Sequence, residues 1–133
     1  MVNLLNQKRY KATFISAIVT AVIAHGFALI NVLHNYDNIS VFMRGYGTGL
    51  SSDRWLLTLL GDWIKNTGRE YNTPLFNGIL TILLLSITAC IIIEFFEINS
   101  MILCSLIGAI FLCFPTVTST MFFMYTAPYY ALA

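Results

Sequence analysis

Two apolar stretches, Ala12–Leu33 with no charged residue and Leu75–Phe96 with Glu94 alone, bracket the segment that holds most of the charge of this 133-residue chain. Each stretch has 22 residues. As a helix each is about 33 Å long, against a bilayer hydrocarbon core of roughly 30 Å. A helix satisfies its own backbone hydrogen bonds, which is what lipid demands of a segment with no polar neighbours. The expected fold class is therefore all-α integral membrane protein. With 58% hydrophobic and 10% charged residues and a mean hydropathy of +0.77, the composition lies far from that of a soluble domain.

The net charge of +1 conceals an asymmetry. Lys8, Arg9 and Lys11 precede the first stretch with no acidic residue before Asp37, which by the positive-inside rule places the N-terminus in the cytoplasm. The segment from His34 to Pro74 sets Arg44, Arg54, Lys65 and Arg69 against Asp37, Asp53, Asp62 and Glu70. Its charges cancel, nothing opposes translocation, and it is expected on the outside. A cleaved signal peptide would carry a shorter apolar run closed by a small-x-small site, and Asn31-Val32-Leu33 supplies none.

Along the chain, Met1–Lys11 reads as a short cytosolic lead at the level of the lipid headgroups. Turn-forming residues from Asn35 to Gly49 follow the first span (12–33) within the external loop (34–74). From Ser51 the pattern becomes helical. Leu56, Leu59, Leu60, Trp63 and Ile64 share one face, and Arg54, Thr58, Asp62 and Lys65 the other. This predicts an amphipathic interfacial helix over 52–67, anchored by Trp55 and Trp63. The second span is 75–96. Glu94 and Glu97, three apart on one helical face, read as carboxylates at a solvated inner boundary or as a buried ion site. A third span runs over 101–120, most of it in Met101–Phe114. Pro115–Pro128 reads as an outer-face connection, and 128–133 as the start of a further helix. Three transmembrane helices and the start of a fourth are expected, and a chain that stops there reads as a truncated piece of a longer one.

Asp37 is the candidate catalytic residue. A carboxylate one turn beyond a membrane helix can be held by the bundle and still act as a general base, although it can equally close a turn with Asn35 and Asn38. Arg44, Arg54 and Arg69 are candidate phosphate-binding cations. Pairing with the loop acids or with lipid headgroups is the competing role. Trp55 sets an aromatic face beside Arg54. The run Gly45-Tyr46-Gly47-Thr48-Gly49 follows no strand and lacks the lysine of a phosphate-binding loop, so no nucleotide fold is inferred. Cys90, Cys104 and Cys113 lie in apolar runs without metal-ligand spacing and read as small buried hydrophobes that face other helices or lipid. His25, mid-span, is expected to hydrogen-bond within the bundle. His34 and Asp37 alone do not make a metal site, so no metal or other cofactor is expected, and a divalent ion has no support. No nucleic-acid partner is expected.

Asn35-Tyr36-Asp37-Asn38, the run Gly47-Thr48-Gly49-Leu50-Ser51-Ser52-Asp53-Arg54-Trp55 and Asn72-Thr73-Pro74-Leu75-Phe76-Asn77-Gly78 resemble loop motifs of the bacterial polytopic glucosyltransferases that modify O-antigen, of the GT-C superfamily. The similarity runs from about Tyr10 to the end of the chain. It implies a polyprenyl-phosphate hexose as donor and a cell-surface polysaccharide as acceptor, on the outer face of the bacterial cytoplasmic membrane. It also implies an essential acid in the first external loop, where Asp37 stands. Because such enzymes have more spans, the resemblance implies an N-terminal piece, incomplete and inactive alone. The alternative is a small non-catalytic membrane protein, an accessory or lipid-sugar translocation subunit that completes its bundle with other membrane subunits.

Overall fold

The computed structural model describes residues 2–33, Trp55, Leu59 and residues 74–132. Its regular elements there are all helices: α1 (Val2–Ile30), α2 (Pro74–Phe95), α3 (Met101–Cys113), α4 (Pro115–Phe122) and α5 (Ala127–Leu132). Gln7–Ile30 and α2 are each long and apolar enough to cross a membrane, and α3 with α4 passes the same test as a pair bent by 41°. The expected interfacial helix, 52–67, lies outside the described residues except for Trp55 and Leu59, which are both helical and exposed.

α1 and α2 run antiparallel, since Arg9 meets Glu94 at one end and Leu29 packs on Gly78 at the other. α3 runs parallel to α1, because Ser16 reaches Ser105 and, further along both helices, His25 reaches Leu112. The stripe of α1 that faces its neighbours is Arg9, Thr13, Ala17, Ala21, His25 and Ala28. On α3 it is Cys104, Gly108 and Leu112, and on α2 it includes Gly78, Ile82, Ser86, Ala89 and Ile93. A spacing of close to four lines each set along one face, and small side chains let the backbones approach, which is how helices pack where lipid removes the hydrophobic drive. Ile23, Phe27, Ile91 and Ile102 point outward, as lipid-facing side chains do.

Hydroxyls inside the spans are satisfied locally. Thr20 Oγ1 donates to Ser16 O (2.6 Å), Thr81 to Asn77 O (2.7 Å) and Ser86 to Ile82 O (2.7 Å). Ser16 Oγ bridges helices, with Thr13 O and Ser105 O each 2.9 Å away. Of the cysteines, Cys104 is buried, Cys90 half-buried and Cys113 exposed, so Cys104 faces neighbouring helices and Cys113 faces outward.

The chain departs from its expected course in three places. α1 begins at Val2, so the basic lead is an extension of the helix, and it ends at Ile30, where the Asn31 side chain donates to Phe27 O at 2.9 Å. α2 ends before Glu97, whose φ of 51° is left-handed. Ile98 N then donates to Ile93 O (2.9 Å) and Glu97 N to Glu94 O (3.0 Å), closing the helix. Glu94 and Glu97 therefore do not share a helical face. Finally, Pro115–Pro128 is not a plain connection. Phe114, extended because a proline follows, separates α3 from α4 (ψ 141°), and Pro115 restarts a helix at its first position. Val117 and Met121 of α4 enter the core beside Leu29 and Ile82. The chain then turns over residues 123–126, and α5 packs back on α2.

The break at Phe114 takes the carbonyls of the last α3 turn out of the helical ladder. His25, 3% exposed, answers one of them, with Nε2 2.8 Å from Leu112 O. Since a carbonyl only accepts, Nε2 carries the proton. The bundle hydrogen bond expected of His25 is thus made, and it secures the bend between α3 and α4.

Candidate functional site

Polar chemistry in the described residues concentrates at one end of the bundle, and the long central segment attaches at the other. The chain leaves α1 through Asn31–Leu33 and re-enters at Pro74. Because α1 and α2 are antiparallel neighbours, both points lie at the same end. There Leu29, Ile82, Met121, Met124 and Ala127 form a continuous apolar floor, and Gly78 lets the Leu29 and Met124 side chains approach the α2 backbone. The turn after α4 brings Met124 and Thr126 back into this floor, both 3% exposed.

Of the residues that the sequence marks for chemistry, Asp37, Arg44, Arg54 and Arg69 lie outside the described residues, as does His34. Trp55 is described and is 63% exposed. Among the described residues no group of three His, Cys, Asp or Glu side chains is placed to share a metal ion.

The far end holds a cluster that the charge pattern did not reveal. Arg9 lies on the inward stripe of α1, whereas Lys8 and Lys11, at the same level of the helix, are both exposed. One guanidinium nitrogen donates to Ile98 O (2.7 Å) and Asn99 Oδ1 (3.1 Å), and the other to Glu94 Oε2 (3.1 Å). Tyr10 Oη donates to the same Glu94 oxygen at 2.7 Å, and the Tyr10 ring centroid lies 5.8 Å from the guanidinium carbon. The left-handed turn at Glu97 directs Ile98 O and Asn99 back toward α1, so the α2–α3 hairpin closes around the arginine. Glu94, its side chain 56% exposed, is not a buried ion site, and its solvated position is the one expected at a boundary. It is an interhelical partner. The four-residue spacing of Arg9, Thr13, Ala17 and Ala21 is the signal that places Arg9 on the packed face.

The arginine side chain is 7% exposed and that of its carboxylate partner 56%, so the two halves of the pair are unequal. Glu94→Gln leaves an enclosed cation with neutral acceptors and is expected to destabilise the protein by about 1–3 kcal/mol, discounted for the half-exposed partner. The double variant Arg9→Met with Glu94→Leu removes charge and demand together and is expected to recover most of that loss. Unfolding of detergent-solubilised protein measures both. A double variant no more stable than Glu94→Gln would show that the arginine contributes chiefly through its neutral acceptors.

No curated protein and no solved structure matches the chain. A model of the family described as glucosyl transferase GtrII matches residues 26–133. The match takes in the last turn of α1, the whole central segment and α2–α5, well over half of the sequence. This helical chain, with its apolar spans, belongs to the glucosyl transferase GtrII family.

Proposed function

We propose that the protein acts in transfer of a glucosyl group from a polyprenyl-phosphate donor to a cell-surface polysaccharide of the O-antigen kind, on the outer face of the bacterial cytoplasmic membrane. The family match carries this reading, because it covers the whole 34–73 segment together with the helices at its two ends. The GT-C superfamily supplies the mechanism: an acceptor hydroxyl attacks the anomeric carbon as the phosphate leaves, with no sugar nucleotide at the site.

In this reading α1, α2 and the bent α3–α4 pair are the three spans and the N-terminus is cytoplasmic. Asp37 lies four residues beyond Leu33. As the general base it removes the acceptor proton as the new bond forms. Arg54 and Arg69, with Arg44, offset the charge gathered by the departing phosphate, and Trp55 anchors the segment at the interface where a lipid-linked donor presents its headgroup. The apolar floor formed by Leu29, Ile82, Met124 and Ala127 holds both ends of the segment at one level, which suits chemistry at a membrane surface.

The reading is tested in cells that carry the gene at its own locus. Deletion is expected to abolish glucosylation of the surface polysaccharide and to leave the lipid-linked glucose donor intact. Polysaccharide that remains glucosylated overturns the assignment. The topology has its own test. A cysteine introduced as Thr48→Cys should react with an impermeant thiol reagent in intact cells, and labelling confined to lysed cells would place the segment on the wrong side for this chemistry.

A further inference from the structure

The carbonyl of Leu112 has two rival donors, and the one it meets decides the course of the chain after α3. In a continuous helix it would accept from the N–H of Thr116, four residues on. In the structure it accepts from His25 Nε2 of α1, at 2.8 Å. His25 is 3% exposed and Leu112 0%, so without a donor this carbonyl would bear the cost of burial unanswered. Pro115 alone does not settle the course. It offers no N–H to Phe111 O and disfavours a helical Phe114, but many helices bend at a proline and continue. Here Phe114 is extended, Val117 N and Thr118 N both turn to Phe114 O (2.9 and 3.2 Å), and α4 leaves α3 at 41°. The broken course needs the histidine to answer Leu112 O, whereas the continuous course needs only Thr116.

We propose that His25 is a positioning residue for the glucosyl transfer proposed above, a reading on which the functional part of this inference rests. By holding Leu112 O it keeps α3 and α4 apart as two helices and so seats α4 and α5 beneath the central segment. α3 itself is fixed to α1, by Ser16 Oγ donating to Ser105 O at 2.9 Å and by Gly108 lying against the Thr13 carbonyl, which leaves α4 as the part that moves. Its 8 residues rise roughly 12 Å. Closing a bend of 41° would carry its far end about 8 Å. Val117 and Met121, 8% and 1% exposed, would then leave their places beside Leu29 and Ile82, and Met124 and Ala127 of the same floor would follow. Leu29 comes just before the chain leaves α1 and Gly78 just after it re-enters at α2, so this floor sets the level at which both ends of the central segment are held. His25 acts through α4 and not on the reacting groups.

The test compares the full chain as wild type, His25→Leu and His25→Gln. Leucine has no donor, whereas the glutamine amide nitrogen reaches about as far as Nε2 and can donate to Leu112 O. Amide hydrogen exchange of isotope-labelled protein in micelles is read by nuclear magnetic resonance. The Thr116 amide should exchange roughly fivefold to tenfold more slowly in His25→Leu than in the wild type, the protection of one new backbone hydrogen bond. The amides of Cys104 and Gly108 should keep their wild-type rates. In cells that carry each form at the native locus, His25→Leu should lower glucosylation of the surface polysaccharide about 10- to 100-fold, as a small misplacement does. His25→Gln should restore both readouts. A Thr116 amide that His25→Leu leaves unchanged overturns the proposal, and it does so without any transferase activity, which keeps this failure distinct from failure of the transfer reading. Faster exchange at Cys104 and Gly108 overturns it by making the histidine a general packing residue. Slowed Thr116 exchange with undiminished glucosylation, or a loss in His25→Gln as large as in His25→Leu, overturns the positioning role.

Discussion

Cells whose native locus carries Asp37→Asn should lose glucosylation of the surface polysaccharide by about 10²- to 10⁴-fold, the usual contribution of a positioned general base. The substitution keeps size and hydrogen-bonding capacity but removes the basicity. An acceptor hydroxyl then attacks with its proton still attached, and the barrier rises. A residue that only closes a turn with Asn35 and Asn38 would behave differently, because asparagine closes such turns as well as aspartate does. The same substitution therefore separates the two roles. Membrane level and thermal stability of the variant should match the wild type, so that the loss is chemical. Undiminished glucosylation would remove Asp37 from the mechanism and leave the reaction to another acid of the 34–73 segment, Asp53, Asp62 or Glu70.

The spans were legible because lipid imposes one crude requirement, a run of apolar residues about 20 long, and Ala12–Leu33 and Leu75–Phe96 meet it. Their packing was less legible, because hydropathy does not distinguish a face that meets another helix from one that meets lipid. Arg9 shows the cost: charge counting groups it with Lys8 and Lys11, whereas its place on the Arg9, Thr13, Ala17, Ala21 stripe sends it inward to Glu94. His25 was readable, since an ionisable ring in mid-span requires a partner, but its partner was not, because Leu112 O is freed only by the break at Phe114. Pro115 signals that break but does not end the helical course. A proline ends one helix and is equally suited to begin the next, and α4 resumes at once with its Thr120 hydroxyl bonded to Thr116 O at 2.9 Å. The candidate catalytic residues were legible only as charges in a turn-rich segment and, for their roles, through family resemblance.

The three described glycines should rank sharply when each is replaced by alanine. A Cβ at Gly108 would press on the Thr13 carbonyl oxygen and lie 2.7 Å from Ser16 Oγ and 3.2 Å from Thr13 C. Two of these atoms are backbone and cannot swing aside, so α1 and α3 must separate. That separation strains the Ser16 to Ser105 bridge and the His25 to Leu112 bond on the same interface. Removing a glycine from a helix gains up to about 1 kcal/mol, but overpacking at a rigid contact costs about 1–3 kcal/mol or more. Gly108→Ala should therefore destabilise the bundle, and Gly108→Leu should prevent α1 and α3 from associating. At Gly78 the added carbon meets the Leu29 side chain, with Met124 Sδ and Cε at 3.4 Å. These are flexible groups that can rotate away, so the expected cost is smaller. At Gly26 nothing lies within 4 Å, and alanine there should stabilise the protein by roughly 0.5–1 kcal/mol. Denaturation in mixed micelles, followed by circular dichroism, gives the order directly. If Gly108→Ala proves as stable as Gly26→Ala, α1 and α3 do not approach as closely as Ser16 and Gly108 require, and the packed stripe on which the whole helical arrangement rests must be redrawn.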